Sequence, residues 1–484
     1  MNLKSITVSG IKWTIFGTVG RFLFQLLQVA VLTRFLSKEA FGLVAMSMFV
    51  IQFTNIFSEM GLTTAILHRQ NATQNEYSSI YWLNIMVSLI LFLTLILCTP
   101  FVSRFYNEPS LNFLIPILGT NILFLAIGRQ HRTIMQKQFR FKAISVTELI
   151  AYFIGLVSAI VLAINDYGIL SLVYSTLISS LISGILFLIQ NLHTNPIKLH
   201  FKATETLPFL KIGGFSTGSS VLDFFSREID ILIVGKMLGT ESLGIYSLTK
   251  QIAVKLFHMI NPLVFNVLSP ILSTLQNEKE RLRLTYLKLI RYLSYINFTV
   301  FLIIVIASRE ILSITYGTDY SEADSVLMFL AFACCISSIS NPVGSLQIAT
   351  GRTDIGFKWT IIRVSITPIF IFVGSLYNIT AVAALYAILS VLLTVPMWYI
   401  QLLPMANISL SSYVSQFIRP FLFLLTATMM IYYVNSETVV SENVIIWGII
   451  KSTLSLLIFG TYLMTFDRKS VTGFIRFAVS GLRR

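Results

Sequence analysis

Residues 13–28 read WTIFGTVGRFLFQLLQ, and residues 215–230, which lie 202 positions later, read FSTGSSVLDFFSREID. Both stretches carry polar side chains at steps of 4, 3, 4 and 3, which places each set on one face of an α-helix. Each row runs for about 21 Å at about 1.5 Å per residue, which is most of a bilayer core. The first row is Thr14, Thr18, Arg21, Gln25 and Gln28, and the second is Ser216, Ser220, Asp223, Arg227 and Asp230. A polar row of this length is costly against lipid, so each helix is predicted to line a hydrated cavity or a packed bundle interior.

The similarity between the two copies continues through the turn that follows each helix. RFLSKEAFG at residues 34–42 aligns with KMLGTESLG at residues 236–244, with a basic residue, Leu, Glu and Gly in the same places. Two copies of one helical unit are typical of transporters. Six predicted spans separate the copies, so both enter the membrane in the same direction. The pattern therefore predicts a parallel repeat about an axis along the membrane normal.

The composition excludes an ordinary soluble domain, because 55% of the 484 residues are hydrophobic and only 12% are charged. Apolar segments long enough to span a bilayer lie near residues 12–33, 42–66, 80–102, 111–128, 146–164, 168–190, 213–235, 244–270, 289–312, 325–349, 357–376, 381–402, 418–435 and 444–465. The sequence predicts an all-α, polytopic integral membrane protein with about fourteen transmembrane helices.

The longest hydrophilic interruption, Asn191 to Lys211, divides the chain between the sixth and seventh predicted spans. We therefore expect two pseudo-symmetric lobes of six helices each, followed by two C-terminal helices. The predicted parts are an N-terminal lobe at 1–192, a linker at 193–210, a C-terminal lobe at 211–403, two further helices at 404–466 and a basic tail at 467–484.

The net charge of +14 follows membrane topology rather than nucleic-acid binding. Lys and Arg concentrate in the even-numbered loops and at both termini, and the opposite loops hold only Arg34, Lys38, Arg104, Lys236 and Arg309. The positive-inside rule then predicts that both termini are cytoplasmic and that anionic lipid headgroups are local partners. Two basic amphipathic segments, 129–142 and 468–484, are predicted to rest on those headgroups, or alternatively to bind a regulatory partner.

Enzymatic motifs are missing from the chain. There is no phosphate loop, no Gly-x-Gly-x-x-Gly, no His-Glu-x-x-His and no Gly-x-Ser-x-Gly, and the five histidines show no metal-ligand spacing. No catalytic residue, metal or cofactor is predicted, so energy for transport has to come from an ion gradient, the substrate gradient or a partner.

Charged residues inside the predicted spans are the remaining candidates for function. Arg21 has no acid in its own row, so its counter-ion must come from another helix, such as Glu59, or from an anionic substrate. Lys250 and Lys255 also have no acid nearby in sequence, although either could extend to an interface. An excess of cations over acids suits a cavity that holds a phosphate-bearing ligand.

Spacing on the seventh predicted span offers an ion pair within one helix. Asp223, Arg227 and Asp230 lie at i, i+4 and i+7. They either neutralise one another and fix packing, or belong to the transport machinery. We take Glu59, Asp223 and Asp230 as candidates for ion coupling or gating, and Arg21, Arg227, Lys250, Lys255, Gln25 and Gln28 as candidates for lining the substrate cavity.

Several stretches together resemble a known family. They are GIKWTIFG at 10–17, residues 34–42, MGLTTAILHR at 60–69, YWLN at 81–84, RFYNEP at 104–109 and 227–246. In this pattern the chain is similar to the polysaccharide transporter (Wzx-type) family of the MOP flippase superfamily, and within it to colanic acid and teichuronic acid exporters. The resemblance covers nearly the whole chain and is strongest from residue 5 to about 255.

The resemblance implies a flippase that moves undecaprenyl-pyrophosphate-linked oligosaccharide across the bacterial inner membrane by alternating access, driven by an ion gradient. It implies that Arg21, Arg227, Lys250 and Lys255 engage the pyrophosphate, although Glu228 beside Arg227 departs from the pattern. Polysaccharide polymerase and glycosyltransferases are the implied partners. Two alternatives stay open: a multidrug exporter of the related MATE type, and a non-transporting scaffold that recruits glycosyltransferases through residues 129–142.

Overall fold

The computed structural model describes residues 3–69, 71–437 and 444–466, and within them the chain is helical and contains no β-strand. The predicted basic tail at 467–484 lies outside the described residues. Two compact units, Met1–Ser247 and Leu248–Arg484, divide the chain. The lobe boundaries predicted from the repeat stay a prediction.

The helices of the first unit follow the predicted apolar segments. They are α1 (Leu3–Leu32), α2 (Lys38–Glu59), α3 (Leu62–His68), α4 (Gln74–Tyr106), α5 (Leu111–Lys137), α6 (Phe141–Ile164), α7 (Leu170–Leu192) and the part of α8 (Ala203–Thr274) that ends at Ser247. The 72 residues of α8 contain two predicted spans, and Gly239 interrupts the helix between them with φ 80° and ψ −176°. Only glycine adopts this backbone conformation without strain.

The second unit begins inside α8 and consists of shorter helices. They are α9 (Lys279–Ile306), α10 (Ser308–Tyr316), α11 (Asp324–Ser340), α12 (Val343–Thr350), α13 (Thr353–Ser375), α14 (Ile379–Leu392), α15 (Thr394–Met397), α16 (Leu403–Ala406), α17 (Leu410–Val414), α18 (Ile418–Glu437) and α19 (Val444–Phe466). A 3₁₀ turn at Thr318–Ala323 precedes α11, and a π-helical turn at Trp398–Leu402 follows α15.

The prediction of an all-α polytopic membrane protein is confirmed. In the described part of the chain, 11 helical stretches are long and apolar enough to cross a bilayer. Large apolar side chains such as Leu97, Phe101 and Ile369 are more than half exposed, as expected for surfaces that face lipid. The number of fourteen spans stays a prediction.

In the first unit, α5 is the central helix and packs against α2, α4 and α7, while α1 packs along α6. Gly17 allows the close approach of α1 to α6, because a Cβ atom at that position would lie 2.7 Å from the Ser145 side chain. The Ser145 hydroxyl donates to the main-chain oxygen of Trp13 at 2.8 Å and fixes the register of the two helices. These contacts bring the polar row of α1 against α6.

The two copies of the repeated turn contact each other within the first unit. A Cβ atom on Gly42 would lie 1.9 Å from the main-chain oxygen of Thr240, and one on Gly244 would lie 1.9 Å from that of Lys38. Gly42 and Gly244 occupy equivalent places in the repeat, as do Lys38 and Thr240. The contact is therefore reciprocal, which is the signature of a local two-fold relation.

Residues 193–202, most of the predicted linker, are held against α4. The indole Nε1 of Trp82 donates to the main-chain oxygen of Lys198 at 2.9 Å, and the backbone N–H groups of Lys198 and Lys202 donate to the hydroxyls of Ser78 and Ser79. The segment therefore belongs to the first unit and packs along α4.

In the second unit, α9 forms the core. Of its most apolar 18 residues 72% are buried, against 17% for α13, so α9 faces protein while α13 mostly faces lipid. A largely buried ion pair joins two helices of this unit, where the Lys451 ammonium of α19 meets the Glu310 carboxylate of α10 at 2.8 Å. Both side chains are largely buried, so each compensates the other's charge.

Candidate functional site

The polar row of α1 faces its neighbours within the bundle. Gln28 donates to the Ser175 hydroxyl of α7 at 2.9 Å, Gln25 lies next to the Tyr152 hydroxyl of α6, and Thr14 donates to the main-chain oxygen of Gly10. Thr14 is exposed and the other four residues of the row are half-buried, so the row borders α6 and α7 without being enclosed by them.

Arg21 is part of an ion-pair triad that joins three helices. Its Nη1 lies 2.8 Å from Oε2 of Glu148 on α6, and its Nη2 donates to the Thr18 hydroxyl at 3.2 Å. The other oxygen of the same carboxylate, Oε1, accepts from Nε of Arg132 on α5 at 2.8 Å. One buried glutamate is thus shared by two arginines and leaves a net positive charge, and the side chains of Arg21 and Arg132 stay 29% and 41% exposed.

The counter-ion of Arg21 was expected from another helix, such as Glu59, or from an anionic substrate. It does come from another helix, but from a residue other than Glu59. Glu148, at the N-terminal end of the apolar run 146–164, is the partner. Glu59 lies instead near Arg129 of α5, close enough to act on it electrostatically. Glu148 lies in the polar first turns of α6, and the hydropathy pattern had placed this part of the chain at the membrane boundary.

Arg129 was predicted to belong to a basic amphipathic segment on the lipid headgroups, and it lies within the helix bundle instead. Its Nη1 donates to the Ser58 hydroxyl at 2.9 Å and its Nη2 to Oδ1 of Asn55 at 3.3 Å. The Ser58 hydroxyl is buried and also bonded to Ser88 at 2.7 Å. Arg129 is therefore oriented by neutral polar groups of α2.

The prediction that segment 129–142 rests on lipid headgroups is therefore wrong for residues 129–137. Residues 129–137 continue α5 into the bundle, and His131 is buried beside Asn191 of α7. Hydropathy ended the span at residue 128 because Arg, Gln and His follow. The i, i+3 spacing of Arg129 and Arg132 on a continuing helix was the signal available in the sequence.

A cavity of about 220 Å³ lies beside these arginines, entirely within the first unit. Its polar lining comes from Glu59, Thr63, Arg129, Arg132, Thr133 and Ser183. The volume has room for several waters or a small anion. Three arginines stand against two glutamates in and around this cavity, which leaves an excess of positive charge. We name Arg21, Arg129, Arg132, Glu59 and Glu148 the arginine cluster.

The polar row of the seventh predicted span divides between two environments. Arg227 and Asp223 form a bidentate ion pair, with Nη2–Oδ2 at 2.8 Å and Nε–Oδ1 at 3.1 Å, and both side chains are about half exposed. Asp230 is buried and accepts from the Tyr246 hydroxyl at 2.8 Å and from the backbone N–H of Ile231. The predicted ion pair within one helix is thus present for Asp223 and Arg227.

Lys250 and Lys255 lie in the second unit. Lys250 is near the buried thiol of Cys334, and both lysines are partly buried. Among the described residues no carboxylate pairs with Lys255. Within the same described part of the chain, no three His, Cys, Asp or Glu side chains are placed to hold a metal ion.

The chain matches the family model described as "Polysaccharide biosynthesis protein" over residues 31–326. It is 26% identical to the lipopolysaccharide biosynthesis protein WzxC of Escherichia coli (strain K12) over 90% of this chain and 88% of that protein. It is 29% identical to the teichuronic acid biosynthesis protein TuaB of Bacillus subtilis (strain 168) over 88% of this chain and 89% of that protein.

A solved structure shares the fold. The lipid II flippase MurJ in an inward closed conformation superposes with a TM-score of 0.75 over 96% of this chain and 100% of its own, at 15% sequence identity. At this identity the likeness establishes the architecture and leaves residue roles to the geometry described above.

Proposed function

Because this chain belongs to the polysaccharide biosynthesis protein family, as a Wzx-type transporter of the MOP superfamily, we propose that it moves undecaprenyl-pyrophosphate-linked oligosaccharide across the cytoplasmic membrane. The proposed movement is from the cytoplasmic to the outer leaflet by alternating access, and ion gradients supply the energy. Both termini lie on the cytoplasmic side in this proposal, and polysaccharide polymerase and glycosyltransferases are its partners.

The observation that carries the proposal is the arginine cluster. Arginines inside apolar helices are costly to insert, so their presence calls for a compensating function. Guanidinium groups match the oxygens of phosphate better than any other side chain, because they donate in a planar fork. Arg129 and Arg132 line one cavity, and Arg21 shares the Glu148 carboxylate with Arg132. The cluster holds fewer carboxylates than cations, which suits a ligand that carries a pyrophosphate.

The other predicted site residues take defined roles in this proposal. Arg227, Lys250 and Lys255 remain proposed contacts of the anionic substrate, and Asp223, Asp230 and Glu59 remain proposed elements of ion coupling or gating. Gln25 and Gln28 remain proposed to line the substrate cavity, and their contacts with Tyr152 and Ser175 also hold α1 so that Arg21 keeps its place.

A transport assay with the purified chain in proteoliposomes tests the proposal. The probe is a fluorescent NBD-labelled polyprenyl-pyrophosphate sugar, and dithionite quenching reports the fraction in the outer leaflet. We expect transport by the wild type and a loss of at least about tenfold in Arg21→Ala and Lys255→Ala, because each removes a cation from the proposed phosphate path.

Arg104→Ala is the matched control, since Arg104 is an exposed arginine at the end of α4. It should transport at the wild-type rate. If the wild type moved no probe, or if Arg21→Ala and Lys255→Ala were both fully active, the proposal would be wrong.

A further inference from the structure

Glu148 holds a position that an anionic ligand would otherwise occupy. Its two carboxylate oxygens each accept from a different arginine at 2.8 Å, so both lone-pair edges of the carboxylate are engaged by guanidinium groups. A phosphate group would present the same arrangement of oxygens to the same two donors. Carboxylate and phosphate therefore compete for one pair of cations.

The charged and titratable groups around Glu148 come from three helices. Arg21 approaches from α1, Arg132 from α5, and Tyr152 lies one turn further along α6 itself. The fourth neighbouring helix, α7, contains no Asp, Glu, Lys, Arg or His, and it contributes Gln190, which donates to Thr147 of α6. No second carboxylate is within ion-pair distance of Arg21 or Arg132 among the described residues.

Access to one of the two arginines is already open. Arg132 lines the 220 Å³ cavity, where Arg129 and Glu59 also face the space. Arg129 is held by hydrogen bonds to Ser58 and Asn55, which are neutral. Its positive charge therefore faces the cavity without a carboxylate hydrogen-bonded to it. A small anion in the cavity would contact Arg129 and compete with Glu148 for Arg132.

We propose that Glu148 is a built-in competitor of the anionic substrate group. As a carboxylate it occupies Arg21 and Arg132. When it takes up one proton from the aqueous phase it becomes a neutral carboxyl, both ion pairs break, and the two guanidinium groups donate hydrogen bonds to phosphate oxygens instead. Binding of one pyrophosphate group is then linked to uptake of about one proton. This inference rests on the proposed function, because it concerns the same anionic substrate.

Isothermal titration calorimetry on the full chain in nanodiscs tests the linkage, with farnesyl pyrophosphate and inorganic pyrophosphate as probes. Titration in two buffers of different ionisation enthalpy gives the number of protons taken up. We expect Glu148→Gln to bind about tenfold more tightly than the wild type at pH 8, since a neutral amide competes poorly for arginine. We also expect its proton uptake to be smaller by about one per probe.

Both probes change their own protonation between pH 6 and 8, which adds to the measured proton uptake. Comparing variants at one pH removes the part of the uptake that comes from the probe. Glu148→Asp keeps the charge and should keep the proton uptake, which guards against a Glu148→Gln protein that fails to fold. Glu310→Gln is the matched control, because it removes a similarly buried ion pair in the second unit. It should bind and take up protons as the wild type does.

The outcomes separate the two proposals. If the wild type binds and Glu148→Gln matches it in affinity and proton uptake, Glu148 is a structural ion pair and this inference is overturned alone. If no variant binds either probe at pH 6 or 8, the proposed substrate class is overturned with it. Binding of farnesyl pyrophosphate but not inorganic pyrophosphate, with the expected change in Glu148→Gln, supports the inference for a lipid headgroup. Equal binding of both supports it for the phosphate group alone.

Discussion

At the scale of single residues, the charges within the bundle differ in how they are compensated. Glu148 is shared by two arginines, Arg227 is paired within its own helix, and Arg129 is held by a hydroxyl and an amide. Glu59 acts on Arg129 electrostatically, but the hydrogen bonds of Arg129 go to neutral groups, so no carboxylate bonded to it satisfies its charge. Arg129 is therefore the residue of the cluster whose chemistry is easiest to separate from packing.

Replacing Arg129 by Lys should lower the initial transport rate about tenfold or more. A lysine keeps the charge but cannot donate to Ser58 and Asn55 in the planar geometry that Arg129 uses, so the cation loses its orientation. Arg104→Lys, at an exposed site, should stay at the wild-type rate. Wild-type transport by Arg129→Lys would show that orientation of this cation is unimportant.

At the scale of helices, the sequence predicted the repeat, the helical class and the polar face of α1, because each depends on a local period. It did not predict which helices the polar faces meet. Glu148, Arg129 and Arg132 were missed because hydropathy reports compatibility with lipid, whereas these side chains sit in a bundle that supplies its own polar partners. Partners that are 127 and 16 residues apart in sequence, as Arg21 and Arg132 are from Glu148, leave no local pattern.

The reciprocal contact between the repeated turns gives a prediction at the same scale. Gly42→Ala and Gly244→Ala each place a methyl group 1.9 Å from a main-chain oxygen, so the backbone must move. We expect each to lower the free energy of unfolding by about 2 kcal/mol, in the range of overpacked sites. Thermal unfolding in detergent measures the effect.

Gly218→Ala is the control for those variants. A Cβ atom there meets nothing within 4 Å, and the position is helical. It should be neutral or gain up to about 1 kcal/mol, because alanine is the better helix former. If Gly42→Ala and Gly244→Ala unfolded at the wild-type temperature, the two copies would not be in the tight contact described.

At the scale of the whole molecule, the charge that crosses the membrane in each cycle connects the arginine cluster to the source of energy. A pyrophosphate diester carries about two negative charges. If about one proton accompanies it on Glu148, the substrate and proton together move about one negative charge outward. An inside-negative membrane potential then drives export, by about 2.3 kcal/mol for each charge at about 100 mV.

This balance predicts how transport depends on voltage. In proteoliposomes with a valinomycin-induced potassium diffusion potential, inside-negative polarity should raise the initial rate of inner-to-outer leaflet movement of the NBD-labelled probe. Glu148→Gln carries no proton, so it moves about one more negative charge and its rate should rise more steeply with potential. Valinomycin without a potassium gradient is the control and should leave both rates at their basal values. The model of an exporter in which Glu148 carries the proton would be contradicted by either of two results. The first is a rate that does not depend on the potential in the wild type and in Glu148→Gln, and the second is a rate that rises with inside-positive polarity.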